Sequence, residues 1–273
     1  MRQYLIDAFA SRPFKGNPAC VVEPFDAWPD DAFLQNLAME NNQAETAYLL
    51  KTEDPARFGL RWFTPAMEVR LCGHATLASA HTLFVELGHD ADVLTFDTLS
   101  GPLHVRRLAT RLEMDFPGYM PQALAIPDGI ERATDVRPQA VFGGPALIAQ
   151  FATEAEVRNL KPDLRALPAY AGSVYDDRHL VATAPAEPGK PYDAVSRLFA
   201  PDMGIDEDPA TGSMHCMLGP LYAGQLKKPV IDFYQAHPRR GAEIQAEVRA
   251  DRVLLRGQAL TVMRGALNLA PER

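Results

Sequence analysis

A long internal repeat constrains this chain more than any other feature. Phe63-Thr64-Pro65-Ala66-Met67-Glu68-Val69 reappears as Phe199-Ala200-Pro201-Asp202-Met203-Gly204-Ile205. Each copy runs into a turn of small residues and then an apolar, helix-like stretch, Leu71 to Ala80 in the first half and Met214 to Leu218 in the second. Gly16-Asn17-Pro18-Ala19-Cys20-Val21-Val22 is echoed by Gly143-Gly144-Pro145-Ala146-Leu147-Ile148-Ala149. An acid-rich segment closed by Leu follows each: Trp28 to Leu37, and Thr153 to Leu160. The period is about half the chain, far longer than the roughly 20–50 residues of a solenoid unit. It predicts two similar domains, 1–118 and 119–262, joined at Pro117-Gly118-Tyr119-Met120-Pro121, with the tail 263–273 packing back on the first. Two such domains face to face would place two helix starts at one cleft, a natural ligand site.

The second copy carries the densest chemistry. Asp206-Glu207-Asp208 runs through Pro209-Ala210-Thr211-Gly212-Ser213 into Met214-His215-Cys216-Met217-Leu218. Pro suits the turn before a helix because its missing N–H is not needed there. Small residues such as Gly212 and Ser213 let the unpaired amides of a helix start approach a ligand, and the partial positive charge there favours a carboxylate. Asp208 stands just upstream, where it could handle a proton. The plainer alternative is that Asp208 or Ser213 caps the helix.

In chain order, Gln3 to Phe9 and Ala19 to Val22 read as strands, and Trp28-Pro29-Asp30-Asp31 opens a helix bearing Phe33, Leu34, Leu37 and Ala38 on one side. Gly73 to Leu87 reads as a buried helix with Gly88 as its C-cap. In the second half, Gly172 to Tyr175 and Leu180 to Thr183 are expected to flank a polar turn with Asp176, Asp177 and His179. Ile231 to Tyr234, Glu243 to Val248, Val253 to Arg256 and Ala259 to Val262 read as a meander, and Gln235 to Gly241 as a loop.

Composition excludes several classes. A net charge of −8 argues against general nucleic-acid binding. No apolar run approaches the roughly 20 residues of a membrane span, and the N-terminus reads as a strand rather than a leader, so a cytoplasmic protein is expected. Cys20, Cys72 and Cys216 are odd in number and far apart, which suggests a reducing compartment. With no CxxC pair and no evident His partner, no zinc site is expected. Phe142-Gly143-Gly144-Pro145 lacks the rest of any phosphate-binding pattern.

Five motifs in order carry a resemblance: Phe14-Lys15-Gly16-Asn17-Pro18-Ala19, Asn42-Gln43-Ala44-Glu45-Thr46-Ala47, Arg61-Trp62-Phe63-Thr64-Pro65, Leu71-Cys72-Gly73-His74-Ala75-Thr76 and Glu207-Asp208-Pro209-Ala210-Thr211-Gly212-Ser213. Together they resemble the phenazine-biosynthesis, PhzF-like isomerase family. The resemblance implies an α+β, diaminopimelate-epimerase-like fold, in which two pseudo-symmetric domains each roll a mostly antiparallel sheet around a central helix. It implies a cofactor-independent isomerase, without metal, acting on a small carboxylate and working as a homodimer. The family's catalytic glutamate matches Glu45, its histidine and aspartate match His74 and Asp208, and its ligand-binding positions match Gly73, Thr211, Gly212 and Ser213. The alternatives are an amino-acid racemase with two cysteines, or a non-catalytic binding protein on the same scaffold. Cys72 occupies the first racemase thiol position, but Pro209 falls at or next to the second, and Cys216 lies too far along the helix to replace it. Ala44 stands where family members often carry serine, which bears on one substrate contact.

Overall fold

The computed structural model describes residues 1–167, 170, 179–201 and 205–268. The strand expected at Gly172 to Tyr175, the turn at Asp176 and Asp177, and Asp202, Met203 and Gly204 of the second repeat lie outside the described residues. The chain divides into two compact units, one of Met1–Asp115 with Arg256–Arg273 and one of Phe116–Leu255.

The first unit opens with an antiparallel pair, Arg2–Ala8 against Asn17–Val22. Asn17–Val22 then runs parallel to Glu45–Lys51. A parallel neighbour requires a crossover, and the helix Asp31–Asn41 supplies it. Glu45–Lys51 pairs antiparallel with Arg57–Phe63, which pairs antiparallel with the short strand Glu68–Val69. Arg57–Phe63 is also parallel to Val93–Thr98, and the helix Gly73–His81 lies in that second crossover. Val93–Thr98 continues antiparallel into Gly101–Arg107.

The second unit repeats these pairings step for step. Ala140–Gly143 and Leu147–Gln150 are antiparallel. Leu147–Gln150 and Leu180–Pro185 are parallel, with the helix Glu154–Asn159 between them in sequence. Leu180–Pro185 pairs antiparallel with Ala194–Ala200, and that strand pairs antiparallel with Ile205–Asp208. Ala194–Ala200 is parallel to Val230–Gln235, and the helix Gly212–Leu226 fills the crossover. Val230–Gln235 then pairs antiparallel with Ala242–Arg249.

The strand Ala259–Ala266, whose first residues are expected only as the end of a meander, has a partner far away in sequence. It pairs antiparallel with Arg2–Ala8 at the head of the first unit. The second unit shows the counterpart, with Gln122–Leu124 antiparallel to Ala140–Gly143. Each unit's first strand thus gains a neighbour from the segment that follows the other unit's last strand in sequence.

Side chains mark the repeat as well. Arg61 grips Glu68 through two bonds of 2.7 Å and stacks over Phe63, 5.1 Å from its ring centre. Arg197 grips Glu207 with bonds of 2.7 and 2.8 Å and stacks over Phe199 at 4.8 Å. Each fork fastens a core strand to the short strand that leads into the central helix. Arg197 also donates through Nη1 to the carbonyls of Val157 and Leu160, at 3.0 and 2.8 Å, which ties down the end of the helix Glu154–Asn159. Arg61 reaches Asp31 of the helix Asp31–Asn41, at 2.9 Å.

The central helices are buried because their sequences offer no polar face. In Gly73–His81 every residue from His74 onward is buried, and the helix packs on Arg2–Ala8, Asn17–Val22, Glu45–Lys51 and Ala259–Ala266. It passes into a π-helical turn, Thr82–Glu86, and the chain leaves through Gly88 at φ +71, as the expected C-cap requires. The helix Gly212–Leu226 is buried at Gly212 and from Met214 to Tyr222, and packs on Val230–Gln235 and Ala242–Arg249. A Cβ at Gly219 would stand 3.2 Å from that of Ala246, so glycine sets how closely helix and strand approach. Among the described residues, no helix is long and apolar enough to cross a membrane.

Candidate active site

The start of the first central helix gathers three reactive side chains. Glu45 is the first residue of its strand, opposite Ala19 in the parallel register. Cys72 is the N-cap of the helix and His74 its second residue. Glu45, Cys72 and His74 are all buried. Glu45 Oε2 lies 2.8 Å from His74 Nε2. The two atoms are out of line for a hydrogen bond, and neither has another hydrogen-bonding partner among the described residues. On the other side of the ring, Nδ1 lies 3.1 Å from Asn17 Nδ2 and 3.5 Å from Cys72 Sγ. As placed, the Asn17 amide donates to an unprotonated Nδ1. Flipped, it would offer its oxygen to a protonated one.

Asn17 owes its position to the turn before it. Gly16 sits at φ +63, and a Cβ there would meet the Ala8 carbonyl oxygen at 1.9 Å, so only glycine fits. That turn opens the strand on which Asn17 is wholly buried.

Electrostatics set the trio apart. Burial alone would lower the pKa of His74, but its interactions with Cys72 and Glu45 outweigh burial and raise it well above the ordinary value. Burial, followed by the nearby Glu45 charge, pushes the Cys72 thiol up to about 11. Cys72 is therefore a neutral thiol near pH 7. Cys72 and His74 are close partners, which corrects the expectation that no cysteine has one. The oxygen, sulfur and nitrogen of Glu45, Cys72 and His74 all lie within 4.8 Å of one another.

The second central helix begins on the same skeleton with different chemistry. Its N-cap is Thr211, followed by Gly212 and Ser213. Thr211 thus takes the place of Cys72, and Ser213 that of His74. Pro209, expected at or next to the second thiol position, lies two residues before the N-cap, and a hydroxyl stands where the first helix has a thiol. Cys216 lies a turn further on, its thiol facing the Gly212 carbonyl at 3.8 Å.

Asp208 accepts from the Thr211 hydroxyl. Gln235 braces this corner. Its Oε1 accepts from Thr211 N–H at 2.7 Å. Its Nε2 donates to the Asp208 carbonyl at 2.7 Å and reaches the Thr211 hydroxyl at 3.2 Å. His215 lies 2.8 Å through Nδ1 from the Thr211 carbonyl and 3.3 Å through Nε2 from the Ser196 hydroxyl. Burial lowers its pKa to about 4, so it is neutral at pH 7, donating from Nδ1–H to the carbonyl and accepting from the hydroxyl at Nε2. Ser213 is exposed, and Asp208 is half-buried.

Neither central helix start carries a side-chain cap. The two crossover helices differ: Asp30 caps one by accepting from Phe33 N–H, and Thr153 forms a full capping box with Glu156 in the other. The N-cap residue of the second central helix is thus Thr211, rather than Asp208 or Ser213. Neither Cys72 nor Thr211 offers an oxygen cap to these first amides, and the Ala75 amide reaches only the Cys72 sulfur.

The candidates at the first helix start, Glu45, Gly73 and His74, meet in the first unit. Asp208, Thr211, Gly212 and Ser213 meet in the second. Sequence reasoning missed Asn17 and Gln235 as site residues. Asn17 sat inside a quoted motif, whereas Gln235 gave no signal. An open groove of about 1610 Å³ in the first unit, bounded by residues such as Phe25, Trp28, Phe58 and His89, contains none of the candidates.

Two copies of one α+β plan, each with a mostly antiparallel sheet around a buried helix, define the diaminopimelate-epimerase-like class of proteins. A probable proline racemase from Agrobacterium radiobacter shares this fold, with a TM-score of 0.63 at 10% identity over 99% of this chain and 93% of that one. The chain belongs to the family whose model is described as phenazine biosynthesis-like protein, which matches residues 6–265. It is 41% identical over 269 residues to an uncharacterised isomerase of Pseudomonas aeruginosa, covering 97% of this chain and 98% of the relative. The crystal structure of a PhzF-family phenazine biosynthesis protein from Enterococcus faecalis matches with a TM-score of 0.91 at 36% identity, over 98% of this chain and 99% of that one. Family and fold together support an isomerase-type function.

Proposed function

We propose that the protein is a cofactor-independent isomerase that moves a proton between carbons of a small carboxylate, cyclic or derived from an amino acid. The observation that carries this reading is the buried contact of Glu45 with His74 at 2.8 Å, in which both facing atoms lack an aligned partner. A buried carboxyl oxygen without an aligned hydrogen bond is free to take a proton from a substrate carbon and return it to another. As the C–H proton moves to Glu45, the electron pair it leaves shifts into the adjacent unsaturated system, and the same carboxyl then reprotonates the far carbon. His74 holds Glu45 in place and steadies its charge. The uncapped amides at Gly73 and Gly212, with Ser213 and Thr211, bind the substrate carboxylate and the charge developing beside it. Asp208 orients a substrate hydroxyl or amine. On this reading both helix starts serve one substrate, in a cytoplasmic homodimer whose mass light scattering would check.

The test is solvent deuterium incorporation across a panel of small cyclic and acyclic amino and hydroxy acids, comparing wild type with Glu45→Gln. Exchange at a substrate carbon that disappears in Glu45→Gln is the expected result. Exchange that survives there but is lost in Cys72→Ala would assign the chemistry to the thiol instead. Binding without exchange would leave the scaffold as a binding protein.

A further inference from the structure

The trio at the first helix start is also a ligand set. Tetrahedral zinc holds thiolate sulfur at about 2.3 Å and imidazole nitrogen at about 2.0–2.1 Å, which places those two atoms about 3.5–3.6 Å apart. Cys72 Sγ and His74 Nδ1 stand 3.5 Å apart. A Glu45 oxygen completes a group of three donors within 4.8 Å of one another. Three protein donors with one open position is the pattern of exchangeable rather than structural zinc sites. A thiolate, a carboxylate and a neutral imidazole carry two negative charges, which a divalent cation would cancel. Glu45 Oε2, which would turn from Nε2 toward the cation at Nδ1, is buried without a hydrogen-bonding partner to hold it back. Asn17 Nδ2 faces Nδ1 at 3.1 Å, and its amide must swing aside for the metal.

We propose that Glu45, Cys72 and His74 form a binding site for a thiophilic divalent cation such as Zn²⁺, which displaces the Cys72 proton to solvent and takes Glu45 out of proton transfer. The site is inhibitory rather than catalytic. Metal binding itself does not depend on the isomerase reading; only the inhibition does. A soft cation is favoured over Mg²⁺ or Ca²⁺, because those demand six or more oxygen ligands while this set offers one oxygen donor with sulfur and nitrogen.

The experiment is a titration of the reduced full-length protein with Co²⁺, followed by visible absorbance, with Zn²⁺ as competitor. We expect one Co²⁺ per chain, a thiolate-to-cobalt charge-transfer band, and displacement by Zn²⁺. Cys72→Ser should remove the band. Glu45→Gln, close to isosteric, should weaken binding at least as much as losing an outer partner does, about 10–100-fold. Circular dichroism checks that both variants fold. Co²⁺ bound without a thiolate band, a band that survives Cys72→Ser, or no binding at all would each overturn the site. No substrate enters this titration, so failure of the deuterium-exchange reading leaves its result standing. Where exchange is found, Zn²⁺ should abolish it and a chelator restore it.

Discussion

The two central helices start on one backbone pattern and diverge in what they hold. Cys72-Gly73-His74 in the first unit faces Glu45, so that helix start is crowded with groups that titrate or donate electron pairs. Thr211-Gly212-Ser213 in the second unit faces Asp208, Gln235 and the neutral His215, where each polar side chain has a defined partner or, as at Ser213, reaches solvent. The two histidines show the divide most sharply. The charges beside His74 raise its pKa well above normal, while burial with only a carbonyl and a hydroxyl for company drops His215 to about 4. Duplication supplied two uncapped helix starts, and the side chains around them made one reactive and the other rigid. On the proposed reading, proton transfer belongs to the first alone, while both present helix-start amides to the substrate carboxylate.

The largest effect should fall on the first. Glu45→Gln should cut exchange about 10²–10⁴-fold, the range for removal of a general acid–base group. Asp208→Asn should cost about 10–100-fold, the worth of one hydrogen bond to a charged group. The division of labour fails if Asp208→Asn proves as damaging to exchange as Glu45→Gln.

The histidines should respond to pH in opposite senses. His215 binds protons in the unfolded chain near its ordinary value of 6.5 but in the folded protein only near 4. Wild type should therefore lose roughly 3 kcal/mol of stability through this residue as pH falls across that window. His215→Asn removes that loss, so its stability deficit relative to wild type should shrink toward pH 4. The raised pKa of His74 stabilises the fold below about pH 6.5, and this is lost as pH rises through the folded value. The deficit of His74→Asn should accordingly shrink toward alkaline pH. Denaturant titrations at several pH values would show both trends, and parallel trends would mean that the two environments are not distinct.

Gln235 tests whether the second helix start is as rigid as its bonds imply. Gln235→Leu unpairs Thr211 N–H and the Asp208 carbonyl in a buried corner, and should cost about 1–3 kcal/mol. The isomerase reading adds that KM for the substrate should rise more than kcat falls, since Gln235 acts through Thr211 and Asp208. A variant as stable as wild type would show that the corner does not need this brace.

Much of this was legible in the sequence because the repeat is carried by short motifs at the ends of strands. Phe63 and Phe199 mark equivalent strands, and the helix starts follow within a dozen residues of each. The Arg61 and Arg197 forks lie two residues upstream of Phe63 and Phe199, but their partners Glu68 and Glu207 are visible only once the strands pair. Ala259 to Val262 reads as the end of a meander because local periodicity reports that a segment is a strand, not which strand it joins. Gln235 was placed in a loop because a lone polar residue before Ala236-His237-Pro238 looks like the end of structure, whereas it is the buried last residue of a strand. Cys72 and His74 were each read singly, and only the parallel register that delivers Glu45 beside them makes the three a cluster.

The smallest effect concerns the caps and separates helices that only fold from helices that also bind. The crossover helix Glu154–Asn159 has its capping box, so Thr153→Ala should lower stability by about 1 kcal/mol. The helix Gly73–His81 starts at Cys72 with extended backbone, φ −144 and ψ 108, the conformation an N-cap residue adopts, yet without a capping bond. Cys72→Ser places a hydroxyl acceptor there and should raise stability by up to about 1 kcal/mol. The new cap would occupy an amide that the proposed chemistry reserves for the substrate carboxylate. Affinity for a small carboxylate, measured by calorimetry, should therefore fall as stability rises in Cys72→Ser and stay unchanged in Thr153→Ala. A Cys72→Ser protein that gains stability and binds carboxylate as tightly as wild type would show that the first helix start is uncapped for some reason other than the anion.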